Sequence, residues 1–224
     1  MTNFTVDLIE NLPKLNQIEI DGVRHYTDNN GLIKDPLPSV TTVLSADPSK
    51  KKSLKNWRER VGEEKANAIS TRALAKGNDV HLLMEDYLLS MQPHKKMMPN
   101  VIELASFLKK VADDHINNIR LVEGQLFSTH LRVAGTVDLV ADYDGETAII
   151  DWKTSRYPKK EQHIHNYFMQ ESAYAVMFEE RTQIPVRKLV TLVAHPEGAQ
   201  VFVESRDTWI DKFIVARDKY DTYR

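Results

Sequence analysis

The dipeptide Asp144-Gly145, set between two alternating runs, constrains this chain more than any other feature. A two-residue type I′ turn needs positive φ at both central positions, which glycine adopts freely and aspartate tolerates, so the pair predicts a tight hairpin. With that turn fixed, Tyr143 faces Glu146 and every step outward keeps the sum of the paired numbers constant. Asp138 then stands opposite Asp151. Residues two apart on a strand share a face. Lys153 therefore joins the two aspartates, with Val140 and Ile149 nearer the turn, while Val137, Leu139, Ala141, Ile150 and Trp152 are expected in the core on the other face.

Two carboxylates facing each other across a strand pair repel, and a cation between them is the simplest compensation. The chain has no cysteine, which removes zinc-thiolate sites, iron-sulfur clusters and thiol nucleophiles, so a metal here would be held by oxygen and imidazole. Mg²⁺ suits one or two carboxylates completed by water and phosphate oxygens, with Mn²⁺ as the alternative. Lys153 could orient or deprotonate an attacking water, or neutralise charge building on a phosphate. The competing explanation is a half-exposed salt-bridge cluster, because D-x-K alone is a weak motif; the turn-fixed register favours chemistry.

Around this hairpin the pattern predicts an α/β fold. Residues 17–27 form a small hairpin about Asp21-Gly22, and Ser39 caps a short helix after Pro36-Leu37-Pro38. Helical periodicity runs from Ser53 to Ser90, with Leu54, Trp57, Val61, Ala66 and Ile69 on its apolar stripe and an interruption at Gly77, and resumes after Pro99. Strands follow at 119–129, 133–143 and 147–153, a helix at 162–180, strands at 187–194 and 199–204, and a closing helix from Asp207. This order predicts one domain over 1–224 with a mixed central sheet flanked by helices: a helical N-terminal part at about 39–117, a core at about 118–204 and a C-terminal helix at about 207–224.

These motifs together resemble the PD-(D/E)xK nuclease superfamily, in particular its RecB-like exonuclease branch, which includes phage exonucleases. The segments that carry the likeness are Gly135-Thr136-Val137-Asp138, Asp151-Trp152-Lys153, Gln170 with Tyr174, Gly77 with His81, and Pro38-Ser39-Val40-Thr41-Thr42, within residues 23 to 203. The resemblance implies a restriction-endonuclease-like core, with His81, Asp138 and Asp151 as metal ligands and Lys153 as the catalytic lysine. It places Gln170 and Tyr174 at the catalytic site, one helical turn apart on one face. The Trp152 carbonyl and Glu123 are further candidate ligands, and Glu85, one turn from His81, is expected to fix the imidazole tautomer.

The formal net charge of -2 gives no global attraction to nucleic acid, so DNA must be held by local features. Candidates are Lys51 and Lys52 in a basic run, Arg156 and Lys159 just past Lys153, and the hydroxyls of Ser39, Thr41 and Thr42. Tyr26, Trp57 and Tyr167 are candidates for base stacking. The favoured function is a metal-dependent DNA exonuclease acting on single strands or free ends. The alternatives are a structure-specific endonuclease on the same core and a non-catalytic DNA-binding module. No segment is apolar enough to span a bilayer, and the N-terminal residues lack a signal-peptide pattern, which predicts the cytoplasm of a bacterial or phage-infected cell.

Overall fold

In the computed structural model, which describes residues 4–223, two sheets share the work of positioning the site. The smaller has three strands, β1 (Leu15–Ile20), β2 (Val23–Asp28) and β3 (Leu37–Pro38), in the order β1-β2-β3. Its hairpin closes with Ile20 paired to Val23, as the Asp21-Gly22 turn predicts. Ser39 then caps α1 (Val40–Ser45), its hydroxyl accepting from the Thr42 amide. α2 (Pro48–Val61) and α3 (Glu63–Leu88) follow. The expected break in this helical stretch falls at Gly62, and α3 runs straight through Gly77. α2 buries none of its residues, so Leu54, placed on an apolar stripe by its spacing, stays exposed, as does Ile69 in α3.

α4 (Pro99–His115) leads into the larger sheet: β4 (Ile116–Ser128), β5 (Val133–Tyr143), β6 (Glu146–Thr154), β7 (Lys188–His195) and β8 (Gly198–Ser205), in the order β4-β5-β6-β7-β8. β6 and β7 are parallel, joined by a crossover through α5 (His165–Thr182), and the remaining pairs are antiparallel. α6 (Arg206–Thr222) closes the chain, and Arg224, in the predicted last helix, lies outside the described residues. One face of this sheet packs against α1, α5 and α6 through Val43, Phe168, Phe178 and Phe213; the other packs against α3 and α4 through Met84, Leu104 and Leu108. This mixed sheet between helical layers is the expected restriction-endonuclease-like core. The small sheet is seated on it by Tyr26 and Leu37, which cluster with Phe127 and Ala134.

Asp144 and Gly145 both adopt positive φ, 51° and 77°, and Tyr143 pairs with Glu146. The ladder continues in the expected register to Leu139 opposite Ile150 and stops one step short of Asp138 and Asp151. There the Asp138 carboxylate takes the place of a ladder partner, accepting from the Trp152 amide at 2.9 Å. Face alternation slips at the same point. Val137 packs with Val140 and Ile149, not with Leu139 and Trp152 as strict alternation predicted.

Candidate metal centre and active site

β5 lies between β4 and β6, and that middle position sets the electrostatics of the site. Val122 pairs with Leu139 and Gly124 with Val137, so Glu123 falls opposite Asp138 on one side while Asp151 stands beside it on the other. Three carboxylates thus cross three adjacent strands. Glu123 itself leaves the ladder with a φ of 46°. Burying such a row is costly unless cations or protons intervene.

His81 reaches this row from α3. Its Nε2 lies 3.0 Å from the Trp152 carbonyl oxygen, which can only accept, so Nε2 carries the proton. A neutral ring then turns its Nδ1 lone pair toward Glu123 Oε1 at 3.2 Å and Asp138 Oδ1 at 3.7 Å. Three acceptors converge with no donor among them. The arrangement is stable only with a proton on Nδ1 or a divalent cation in the gap. Burial pulls the His81 pKa down, but Asp138 and the bond to Glu123 push it further up, to about 9. The imidazole and the two carboxylates offer ligand atoms within 4.8 Å of one another, and they fit a divalent ion with a preference for one that tolerates nitrogen. The Trp152 carbonyl is occupied by His81, and the tautomer is set by Glu123 and Trp152 instead of Glu85.

Asp151 is almost wholly buried and stands apart from that trio: Gln170 Nε2 donates to its Oδ1 at 2.9 Å, and Lys153 forms an ion pair with its Oδ2. Burial raises the Asp151 pKa, Lys153 opposes the rise and Asp138 adds to it, leaving it at about 7. For Lys153 burial acts downward, but Asp151 and Asp138 hold it well above the usual lysine value. Its ammonium also lies 5.3 Å from the centre of the Tyr167 ring, which is half-buried beneath it. A lysine held this firmly as a cation can donate to and neutralise an anion; it is a poor base.

Gln170 and Tyr174 share a face of α5. The Tyr174 hydroxyl packs on the backbone of Gly135, where an added Cβ would lie 2.7 Å from it. Burial, then Asp138 and Asp151, push the Tyr174 phenol well above its ordinary pKa. Between the two, Glu171 is fully buried, takes a hydrogen bond from Thr191 at one oxygen, and has no partner for the other among the described residues. Burial and the nearby Asp151 drive its pKa far up. Nothing in the Gln170 to Tyr174 motif marks Glu171; its signal in the sequence is a charged residue on the inward face of a helix with apolar neighbours.

Ser39 pairs with Ala134 at the start of β5, which ties the hydroxyl segment to the strand that carries Asp138. Ser39 is buried and its hydroxyl bonds Thr41 and Thr42, so it serves as a cap. Arg24, which the sequence did not single out, donates to Thr41 Oγ1 at 3.0 Å and has no acidic partner among the described residues. Arg156 stacks near Tyr157, and Lys159 is anchored through its backbone to Gln200. Lys51 and Lys52 are exposed on α2, where the structure brings them to none of these residues. Tyr26 is fully buried and cannot stack on a base; Trp57 is half-buried on α2.

Residues 109–214, which include Glu123, Asp138, Asp151, Lys153, Gln170 and Tyr174, match the model of the PD-(D/E)XK nuclease superfamily. His81 lies outside the matched segment, and only the fold delivers it to the acids. Across a longer stretch the chain is similar to proteins named mitochondrial genome maintenance exonuclease 1. It is 27% identical over 191 residues to that of Xenopus tropicalis, covering 80% of this chain and 54% of the relative. It is 27% identical over 136 residues to the Homo sapiens protein, covering 57% and 39%, and 26% identical over 200 residues to that of Mus musculus, covering 81% and 58%. The chain spans about half the length of these relatives.

Proposed function

We propose that the chain is a metal-dependent DNA exonuclease that hydrolyses phosphodiester bonds at single strands or free ends, and that residues 4–223 work as one nuclease unit. The observation that carries this reading is the convergence of His81 Nδ1 with Glu123 and Asp138, three ligand atoms within 4.8 Å of one another, beside the Lys153 ammonium. DNA as substrate and the exonuclease mode follow from the names of the relatives.

His81, Glu123 and Asp138 would hold the ion, while Asp151, expected from the resemblance as a ligand, is held by Gln170 and Lys153. A divalent ion in that place would supply a polarised water and screen the phosphate charge. The chain does the rest. Lys153 donates toward the phosphate oxygen as negative charge builds on it. Gln170 holds Asp151 by one oxygen, so its other oxygen stays with Lys153, and Tyr174 packed on Gly135 fixes the height of Gln170 on α5. Arg24 and Thr41 offer phosphate contacts beside β5, and Arg156 and Lys159 do so beyond β6.

The test is incubation of end-labelled linear DNA, single- and double-stranded, and of a closed single-stranded circle, with Mg²⁺, with Mn²⁺ and with chelator. The expected result is metal-dependent shortening of the linear single strand and an intact circle. Cleavage of the circle would move the assignment to an endonuclease, and no cleavage of any substrate with either ion would reduce it to a binding module.

A further inference from the structure

A groove of about 650 Å³ opens beside the catalytic strand, walled by the middle of α3 and the start of α4 and floored by Thr154, Ser155 and Arg156. Its floor begins at the residue after Lys153. Arg72 and Lys76 line it from α3 and Arg156 from the floor; none of the three has an acidic partner among the described residues. Like charges four apart on one helix face repel, and here nothing of opposite sign relieves Arg72 and Lys76. Asp79, also in the lining, is neutralised by Lys95 at 2.6 Å. Between the cations the walls are apolar, and Ile69 and Met98 are 42% and 65% exposed there.

We infer that this groove is a subsite for an extended single DNA strand running on from the catalytic acids, an inference that rests on the nuclease reading above. The occupant follows from the chemistry of the walls. A duplex shows a protein mainly phosphates and would leave Ile69 and Met98 wet. A single strand shows both phosphates and unstacked base faces, and so matches cations interleaved with apolar surface. The volume lies within the range of ligand-binding clefts, and the position beside Lys153 makes it contiguous with the scissile phosphate.

The test measures binding of a fluorescent single-stranded 24-mer, a tetramer and the 24-mer duplex in chelator, across a series of salt concentrations, for the parent, Arg72→Ala with Lys76→Ala, and Arg156→Ala. Each single-strand phosphate contact contributes roughly 0.7 to the slope of log affinity against log salt. The double variant should lose about 1.4 from that slope, which at 0.1 M salt weakens 24-mer binding on the order of 25-fold. Arg156→Ala should lose about half that slope, and the tetramer, which can make fewer of these contacts at once, should lose less than the 24-mer in each variant. The altered side chains lie on the groove surface, and a thermal melt checks that each variant is folded. An unchanged slope and 24-mer affinity in both variants overturns the groove assignment, and so does an equal loss for the duplex. A parent that binds as expected but cleaves nothing with Mg²⁺ or Mn²⁺ refutes the nuclease reading instead, so the two failures are distinguishable.

Discussion

Gly135→Ala tests how tightly the catalytic strand is locked to α5. The new Cβ would lie 2.7 Å from the Tyr174 hydroxyl oxygen and 2.9 Å from ring carbon Cε1. Ordinary contact is about 3.5–4 Å, so the phenol must retreat by roughly 1 Å. Tyr174 has little room to do so, being buried among the side chains that α5 packs on the sheet. Overpacking of this kind costs about 1–3 kcal/mol, and the reduced freedom of the unfolded chain returns about 0.4–1 kcal/mol. The net loss should be about 1–2 kcal/mol, a fall in Tm of roughly 2–8 °C for a chain of this size. Function should suffer more than stability. Gln170, one turn from Tyr174, holds Asp151 Oδ1 at 2.9 Å, and misplacing a catalytic group by about 1 Å can lower a rate 10²-fold. The assay is a double-mutant cycle with Tyr174→Leu, read by denaturant unfolding and by single-turnover cleavage of labelled DNA. Removing the ring removes both contacts under 3 Å, so Gly135→Ala should cost much less in the Tyr174→Leu background. Equal costs in both backgrounds would refute the steric argument.

Lys153→Ala should lower single-turnover cleavage by about 10²–10³-fold and leave 24-mer binding within a few-fold of the parent; cleavage at the parental rate would remove the lysine from the mechanism. In chelator, stability should fall as pH rises from 6.5 to 9. His81 is raised from 6.5 to about 9, so its contribution is complete below 6.5 and lost through 9, and Asp151, raised from 3.8 to about 7, acts in the same direction between those values. The His81 part is on the order of 3 kcal/mol, and denaturant midpoints that stay level or rise over that interval would contradict it. His81→Ala should raise the Mn²⁺ concentration needed for half-maximal cleavage at least about tenfold, measured by titration at fixed DNA; an unshifted curve means the ion is held elsewhere.

Much of this was legible one residue at a time. Local turn chemistry at Asp144-Gly145 fixed the β5 to β6 register as far as Leu139 and Ile150 and so delivered Asp138, Asp151 and Lys153, and the Ser39 cap was read from its side chain. These features are decided within a few residues, where the allowed φ and the period of two leave one solution. Glu123 was less secure, because the loop at 129–132 between β4 and β5 has no such turn to set the register and only the finished sheet puts it opposite Asp138. Tertiary structure also decided what His81 touches: its partners lie 42 and 71 residues away, and they displaced the nearby Glu85 that helical spacing favoured. The same holds for Arg24 on Thr41, for Glu171 buried against Thr191 in the core, and for the groove that joins Arg72 and Lys76 to Arg156. A sequence specifies short-range geometry through sterics, whereas contacts between distant segments are set by how the apolar faces of the whole chain pack, and the metal-binding trio and its surroundings belong to that second kind.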